Sequence, residues 1–198
     1  MTARRFWWIG ALLVIVLIGA GAAFIINRAP ATSEVTVINC LRGAEADCLR
    51  FPTLNGTNLL DEDFILPQDF EGDYVFVIMP FDDGQQVRAQ SWLAPVQALA
   101  EQHPGFTYYN TAVFTNINPA VRVFIRAGMV VAIPDEALRR VTLTLFLEDR
   151  AAFLDALAIP DIDQMQVFLL NAAGEVLWRG RGEYDAAQGE ALALMLAQ

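Results

Sequence analysis

An α/β domain, built as a mixed sheet with helices on both faces and preceded by one transmembrane helix, is the fold class this sequence predicts. Three observations carry it. Residues 6–26 are apolar throughout, small residues included, and no charge falls between Phe6 and Asn27. Residues 74–79, YVFVIM, are apolar at every position. Strand-like and helix-like segments then alternate towards the C-terminus, the pattern of strands joined by helical crossovers.

The apolar run comes first. A helix over residues 6–26 reaches roughly 31 Å, enough to cross the hydrocarbon core of a bilayer. Trp7 and Trp8 stand where an interfacial aromatic belt is expected. Arg4, Arg5 and the amino terminus precede the span and only Arg28 follows it closely. The positive-inside rule then puts the N-terminus in the cytoplasm and the rest outside. The expectation is a single-pass protein of a bacterial inner membrane with its soluble domain on the periplasmic side. A cleaved signal peptide competes, with residues 19–23 as a small-residue exit, but the length of the run favours an uncleaved anchor. A lipoprotein is disfavoured because Asn39 precedes Cys40 and no apolar core abuts it. Domain organisation follows: residues 1–28 as anchor, 29–58 as linker and cysteine-containing loop, 59–198 as the folded domain.

The net charge is −10 and every cation apart from the amino terminus is arginine. Acidity argues against nucleic acid as a partner and against adsorption to anionic lipid by charge. The two cysteines, Cys40 and Cys48, are eight apart. Outside the cytosol such a pair reads as a structural disulfide, and closing so short a loop stabilises by roughly 2–3 kcal/mol. The competing reading is a redox pair. It lacks a C-x-x-C spacing or a helix N-terminus to lower a thiol pKa. A zinc site needs about four ligands, and the single His103 is far off in sequence; no metal and no cofactor are expected.

Residues 35–38 form a brief strand. Residues 54–56 and 61–63 are turn-like and bracket a hairpin. Asp61, Glu62 and Asp63 lack the loop pattern of a calcium hand and read as a solvated turn. In residues 74–79, alternation puts Tyr74, Phe76 and Ile78 on one face and Val75, Val77 and Met79 on the other. Both faces are apolar, as in a central strand covered on both sides. Pro80 ends it. A helix over residues 85–102 follows, with Val87, Trp92, Val96 and Leu99 as its stripe. Pro95 falls inside that helix, as a kink or a restart, and His103 closes it before Pro104-Gly105.

Residues 106–115 are the next strand. Asn118 caps a short helix with Pro119 at its first position. Val121, Phe124 and Ile125 form its buried face, Arg122 and Arg126 share the opposite one, and Gly128 closes it. Residues 134–140 make a second helical turn. Residues 141–147 alternate, with Val141, Leu143, Leu145 and Leu147 inward and Thr142 and Thr144 outward, which reads as an edge strand. Residues 151–158 are a helix with Phe153, Leu154 and Leu157 apolar. Residues 166–170 and 176–178 form a hairpin around Asn171-Ala172-Ala173-Gly174, with the glycine where positive φ is needed. A helix over residues 185–197 lies on the sheet.

That order, together with FILPQDFEGDYVFVIMPFDD (64–83) and MQVFLLNAAGEVLWRGRG (165–182), resembles a thioredoxin-like domain. The first stretch looks like the entry into the first core strand of peroxiredoxins and membrane-anchored periplasmic thioredoxins, the second like their final hairpin. The resemblance implies a central mixed five-stranded sheet in the order 141–147, 106–114, 74–79, 166–170, 175–180. RVTLTLFLEDRAAFLDALAIPD (140–161) with the same ending also resembles the mitochondrial ATP synthase assembly-factor family, ATPase complex subunit 10, and its bacterial relatives. That likeness covers roughly residues 59–198 and implies a chaperone for a membrane subunit of the ATP synthase, without catalysis.

The departures bear on function. In the peroxiredoxin pattern a threonine falls near Gly84 and the reactive cysteine near Val87, and this chain has neither. Asp82, Asp83, Gly84, Gln85, Gln86 and Val87 stand at the vestigial site. The two aspartates read as capping and dipole partners, worth roughly 0.3–1 kcal/mol. The proline that thioredoxins keep before the last hairpin has no counterpart, since Gln164, Met165 and Gln166 stand there. The expected function is therefore non-catalytic binding or assembly of membrane proteins. Trp178, Arg179 and Arg181 are candidate contact points, against the plainer reading of a core tryptophan and solvated arginines. The alternatives are a periplasmic thiol–disulfide oxidoreductase using Cys40 and Cys48, and a small-ligand binder at the strand end near Asp82.

Overall fold

The computed structural model describes residues 36–37 and 48–197. The expected membrane span, the linker up to residue 35 and Cys40 lie outside the described residues. Among the described residues no helix is long and apolar enough to cross a membrane.

In chain order the strands are β1 (Thr36–Val37), β2 (Leu54–Asn58), β3 (Asp63–Leu66), β4 (Tyr74–Met79), β5 (Phe106–Thr115), β6 (Thr142–Leu147), β7 (Gln166–Asn171) and β8 (Val176–Arg181). The helices are α1 (Asp83–Gln102), α2 (Pro119–Ala132), α3 (Glu136–Arg140), α4 (Arg150–Ala156) and α5 (Ala186–Leu196). One sheet runs β1-β8-β7-β4-β5-β6-β2-β3. Strands β4, β5 and β6 are parallel, and β7 is antiparallel to both β4 and β8.

Strand β4 divides two cores, and its alternation decides which side chain joins which. Val75, Val77 and Met79 pack with Phe168, Leu145 and Phe153 of α4. Phe76 and Ile78 pack on the other face with Trp92 and Val96 of α1 and Leu192 of α5. The rings of Phe76, Trp92 and Trp178 lie within 5.1–6.4 Å of one another, close enough to add to simple area burial.

The five expected strands stand in the expected order, but the sheet does not stop there. A hairpin, β2–β3, pairs onto β6, so β6 is an interior strand rather than an edge. Its two threonines are buried, not outward and wet. The Thr142 hydroxyl donates to Leu138 O at 2.7 Å and the Thr144 hydroxyl to Thr57 O at 3.0 Å. Strand β1 is the brief strand expected over residues 35–38; β2 also comes from the 29–58 stretch, and residues 54–56 are strand rather than turn.

Helix α1 starts where its cap dictates: the Gln85 N–H donates to Asp82 Oδ1 at 2.7 Å. It runs on through Pro95 to its C-cap at His103. Ala89, Trp92 and Val96 are its buried apolar stripe, while Val87, expected in that stripe, is exposed. Helix α2 is capped by Asn118, whose Oδ1 accepts from the Ala120 N–H. It passes Gly128 and ends at Ala132, four residues beyond the expected stop.

Candidate functional site

Because β4 and β5 are parallel, their carboxyl ends lie together, which is where ligands usually sit in such sheets. A cleft of about 310 Å³ opens there. Pro80, Phe81, Asp82, Asp83 and Gln86 line it from β4 and α1, Ala112–Phe114 from β5, and Ile125 and Met129 from α2.

The chemistry of this end is sparse. Asp82 is committed as the cap of α1. Asp83 sits in the first turn, exposed, where a negative charge meets the positive end of the helix dipole. Gly84 and Val87 are exposed and carry nothing reactive. Gln85 is fully buried. Its Oε1 accepts the Phe81 N–H at 3.0 Å and its Nε2 donates to Ile162 O at 2.7 Å. The side chain thus pins the start of α1 to the loop ahead of β7. No signal in the sequence distinguishes this glutamine from Gln86 beside it, except that it falls one turn ahead of Ala89 and Trp92 on the inward face.

The loop ahead of β7 is held in the same manner. Gln166 is buried opposite Met79, and its Nε2 donates to Gln164 O at 3.2 Å. Met165 O accepts the Gly182 N–H at 2.9 Å. Among the described residues no group of three His, Cys, Asp or Glu could hold a metal ion.

Cys48 is half-buried and lies elsewhere. The next residue, Leu49, accepts the Val176 N–H through its carbonyl at 2.8 Å, and Arg50 bridges to Glu175. Both contacts are at the start of β8. Strand β8 runs parallel to β4, because each is antiparallel to β7. Cys48 therefore stands towards the end where β4 begins, away from Asp82.

The candidate contact residues on β8 divide. Trp178 is wholly buried against Phe76 and Trp92, so it is core and not a contact point. Arg179 Nη1 donates to Leu157 O at 3.0 Å and Ala158 O at 2.9 Å. Burial, then the neighbouring Arg181 charge, pulls its pKa below the ordinary arginine value. Arg181 pairs with Asp161 at 2.5 Å. Both arginines are tied to the domain.

Helix α2 reverses its expected orientation. Val121 and Phe124, read as buried, are exposed, whereas Arg122 and Arg126 are half-buried beneath them. Of the three apolar residues expected inward only Ile125 is half-buried, and it shares the inward side with Arg122, Arg126 and Met129.

No protein-family model matches the chain, and no curated protein matches it. Solved structures do. A secreted thiol-disulfide isomerase from Corynebacterium glutamicum matches with a TM-score of 0.54 and 15% identity, over 87% of this chain and 97% of that one. A DsbF homologue from Corynebacterium diphtheriae matches at 0.53 and 9% identity, over 86% and 96%. A thiol:disulfide interchange protein from Bacteroides sp. matches at 0.53 and 16% identity, over 76% and 90%. At these identities the likeness establishes architecture and not activity. The chain has a thioredoxin-like fold.

Proposed function

We propose that this chain is a membrane-anchored, extracytoplasmic thioredoxin-like protein that acts by binding a membrane-protein partner, without thiol chemistry at the end of β4. One observation carries the reading. Where a thioredoxin enzyme needs a thiolate at a helix N-terminus, this chain has a capping Asp82, an exposed Asp83, a structural Gln85 and an exposed Val87. None of these groups can exchange disulfides. The apolar run of residues 6–26 supports the anchor, and the secreted neighbour from Corynebacterium glutamicum agrees with a domain outside the cytoplasm. The resemblance of residues 140–161 and 165–182 to the ATP synthase assembly-factor family would name a membrane subunit of that enzyme as the partner only for a domain on the cytoplasmic side, so it does not fit the placement proposed here.

Crosslinking and pull-down of the full chain from its own membrane tests this. Reproducible recovery of an integral-membrane protein is the expected result, and recovery of none overturns the reading. A reporter fused at the C-terminus reads orientation. A cytoplasmic signal overturns the extracytoplasmic placement and fits the matrix-side work of the mitochondrial family; a periplasmic signal argues against the ATP synthase as partner.

A second reading is thiol–disulfide exchange through Cys40 and Cys48. Two of the neighbours described above are named as thiol–disulfide proteins, and that supports this reading better than an assembly role. The position of Cys48, away from the strand end used by such enzymes, weighs on the other side. Reduction of insulin by the full chain, abolished by Cys40→Ser, would establish it. Absence of turnover would leave the binding reading.

A further inference from the structure

Helix α2 is built inside out. Its half-buried positions, Arg122, Ile125, Arg126, Met129 and Val130, recur at the spacing of one helical face and turn towards the domain. Arg122 Nε donates to Ile117 O at 3.0 Å. Arg126 Nη2 donates to Asn58 O at 2.9 Å and pairs with Asp61. Both charges of the helix are thus used inward. The opposite face carries Val121, Phe124, Ala127, Gly128 and Val131, with Phe124 78% and Val131 84% exposed. No residue of the helix is buried, and its outer face has no polar side chain from Val121 to Val131. Scattered apolar residues on a surface need no explanation, but a continuous apolar face does.

We propose that this outer face lies in the interfacial layer of the bilayer that holds the chain's own anchor. The proposal rests on the anchored reading given above. Two observations choose lipid as the occupant. The first is where the chain enters the fold. Thr36 pairs with Arg179 near the carboxyl end of β8, the end shared with Met79 and Thr115 and the end from which α2 departs. The nine residues 27–35 that separate it from the apolar run span at most about 30 Å when extended. A tether of that length lets that end of the sheet, and α2 with it, reach the membrane surface. The second is the chemistry of the face. A protein partner needs hydrogen-bonding groups or a polar rim to fix its register, and this face supplies only Val, Phe, Ala and Gly. A fluid acyl layer asks for nothing more. The contact is apolar and does not rely on charge; it has to outweigh the repulsion between the acidic chain and an anionic surface, which salt screens.

The test uses the full chain, purified and reconstituted into vesicles of phosphatidylethanolamine and phosphatidylglycerol, with Phe124→p-benzoylphenylalanine or Val131→p-benzoylphenylalanine. Both side chains are exposed, so neither change disturbs packing. Ile65→p-benzoylphenylalanine on β3, also exposed, is the control. After irradiation, mass spectrometry is expected to find adducts of one phospholipid at positions 124 and 131, several-fold above position 65. The proposal is overturned by equal labelling at position 65, by a crosslink to a second copy, or by no lipid adduct in vesicles from which alkaline carbonate fails to strip the chain. In that last case the anchor stands and only the α2 contact falls. Release by carbonate overturns the anchor and the contact together. In native membranes, a discrete protein adduct at position 124 in place of lipid assigns the face to a protein partner and also overturns it.

Discussion

The guanidinium of Arg122 lies 4.5 Å from the centroid of the Phe146 ring. A positive charge held over an aromatic face in this way is attracted by the ring quadrupole, by roughly 0.5–1 kcal/mol at an exposed site and more when desolvated. It also means that the two cations of α2 face the domain together with Ile125 and Met129, rather than solvent. Arg122 meets Phe146 of β6 and Arg126 the end of β2, with Ile125 and Met129 beside them over the cleft, which leaves the outer apolar side for another surface.

If these cations help to hold the helix, Arg126 should matter more than any valine of it. Arg126→Met keeps the length of the side chain and removes the charge-assisted bond to Asn58 O, and about 1–2 kcal/mol of stability should go with it. Asp61 is 84% exposed, so its pairing with Arg126 is solvent-screened and Asp61→Asn should cost under about 1 kcal/mol. Urea midpoints of the full chain in detergent measure both. Equal losses for the two variants would mean that the ion pair, not the bond to the carbonyl, holds the helix.

Gln85 is the other polar fixture at this end of the sheet. Gln85→Leu leaves the Phe81 N–H and Ile162 O without their partner in a buried place. Each unsatisfied group costs about 1–3 kcal/mol, so a loss of about 2–4 kcal/mol is expected. Gln85→Glu as a carboxylate retains an acceptor for Phe81 but has no donor for Ile162 and buries a charge, and as a neutral acid it bears the cost of taking up a proton, so it too should lower the midpoint at neutral pH. A midpoint within error of the unmodified chain for Gln85→Leu would show that water replaces the amide.

Tyr109 gives stability a pH dependence on the alkaline side. Burial pushes its hydroxyl above the ordinary tyrosine value, a hydrogen bond from the Glu71 N–H opposes this, and the Glu71 carboxylate adds to it. A tyrosine in the unfolded chain titrates at about pH 10. The folded state binds the proton more tightly, so the contribution is fully present below that pH and is lost as pH rises through the folded value. Melting temperature should therefore fall more steeply above about pH 10 for the unmodified chain than for Tyr109→Phe. Absorbance at the tyrosinate band should show one late-titrating ring that the variant lacks. Parallel pH profiles for the two proteins would refute the assignment.

What the sequence made legible was local. The two-faced apolar run of β4, the caps Asp82 and Asn118, and the glycine of the last turn each state their structure within a few residues, and each is found. The partner of β6 was not legible. The alternation of Leu143, Thr144 and Leu145 suits an edge strand, and only the bonding of Thr142 and Thr144 to Leu138 and Thr57 shows why the hydroxyls are buried. Gly56 in β2 has weak strand propensity, yet a Cβ there would come within 2.8 Å of Leu145 Cδ2, so close packing on β6 favours the glycine unless that methyl group moves aside. Helix α2 misled for a related reason. Its periodicity defines two faces, but burial alone decides which is inward, and the usual preference for buried apolar side chains pointed the wrong way.

The same substitution should act with opposite sign at two glycines. Gly174 has φ +75° in the turn between β7 and β8. A Cβ there would meet Pro67 Cγ at 2.4 Å, and a proline ring cannot swing aside. Its carbonyl also accepts the Phe51 N–H at 2.8 Å, so movement of the turn would loosen the segment that follows Cys48. Left-handed backbone costs a non-glycine residue about 1–2 kcal/mol, and the clash adds to that, so Gly174→Ala should lower stability by at least about 2 kcal/mol. Gly128 lies inside α2 with nothing within 4 Å of a built Cβ. Alanine there loses less conformational freedom on folding, and Gly128→Ala should raise stability by about 0.5–1 kcal/mol. Denaturant midpoints for the pair decide it. A Gly128→Ala chain less stable than the parent would mean that the outer face of α2 is already covered by something for which a methyl group is too large.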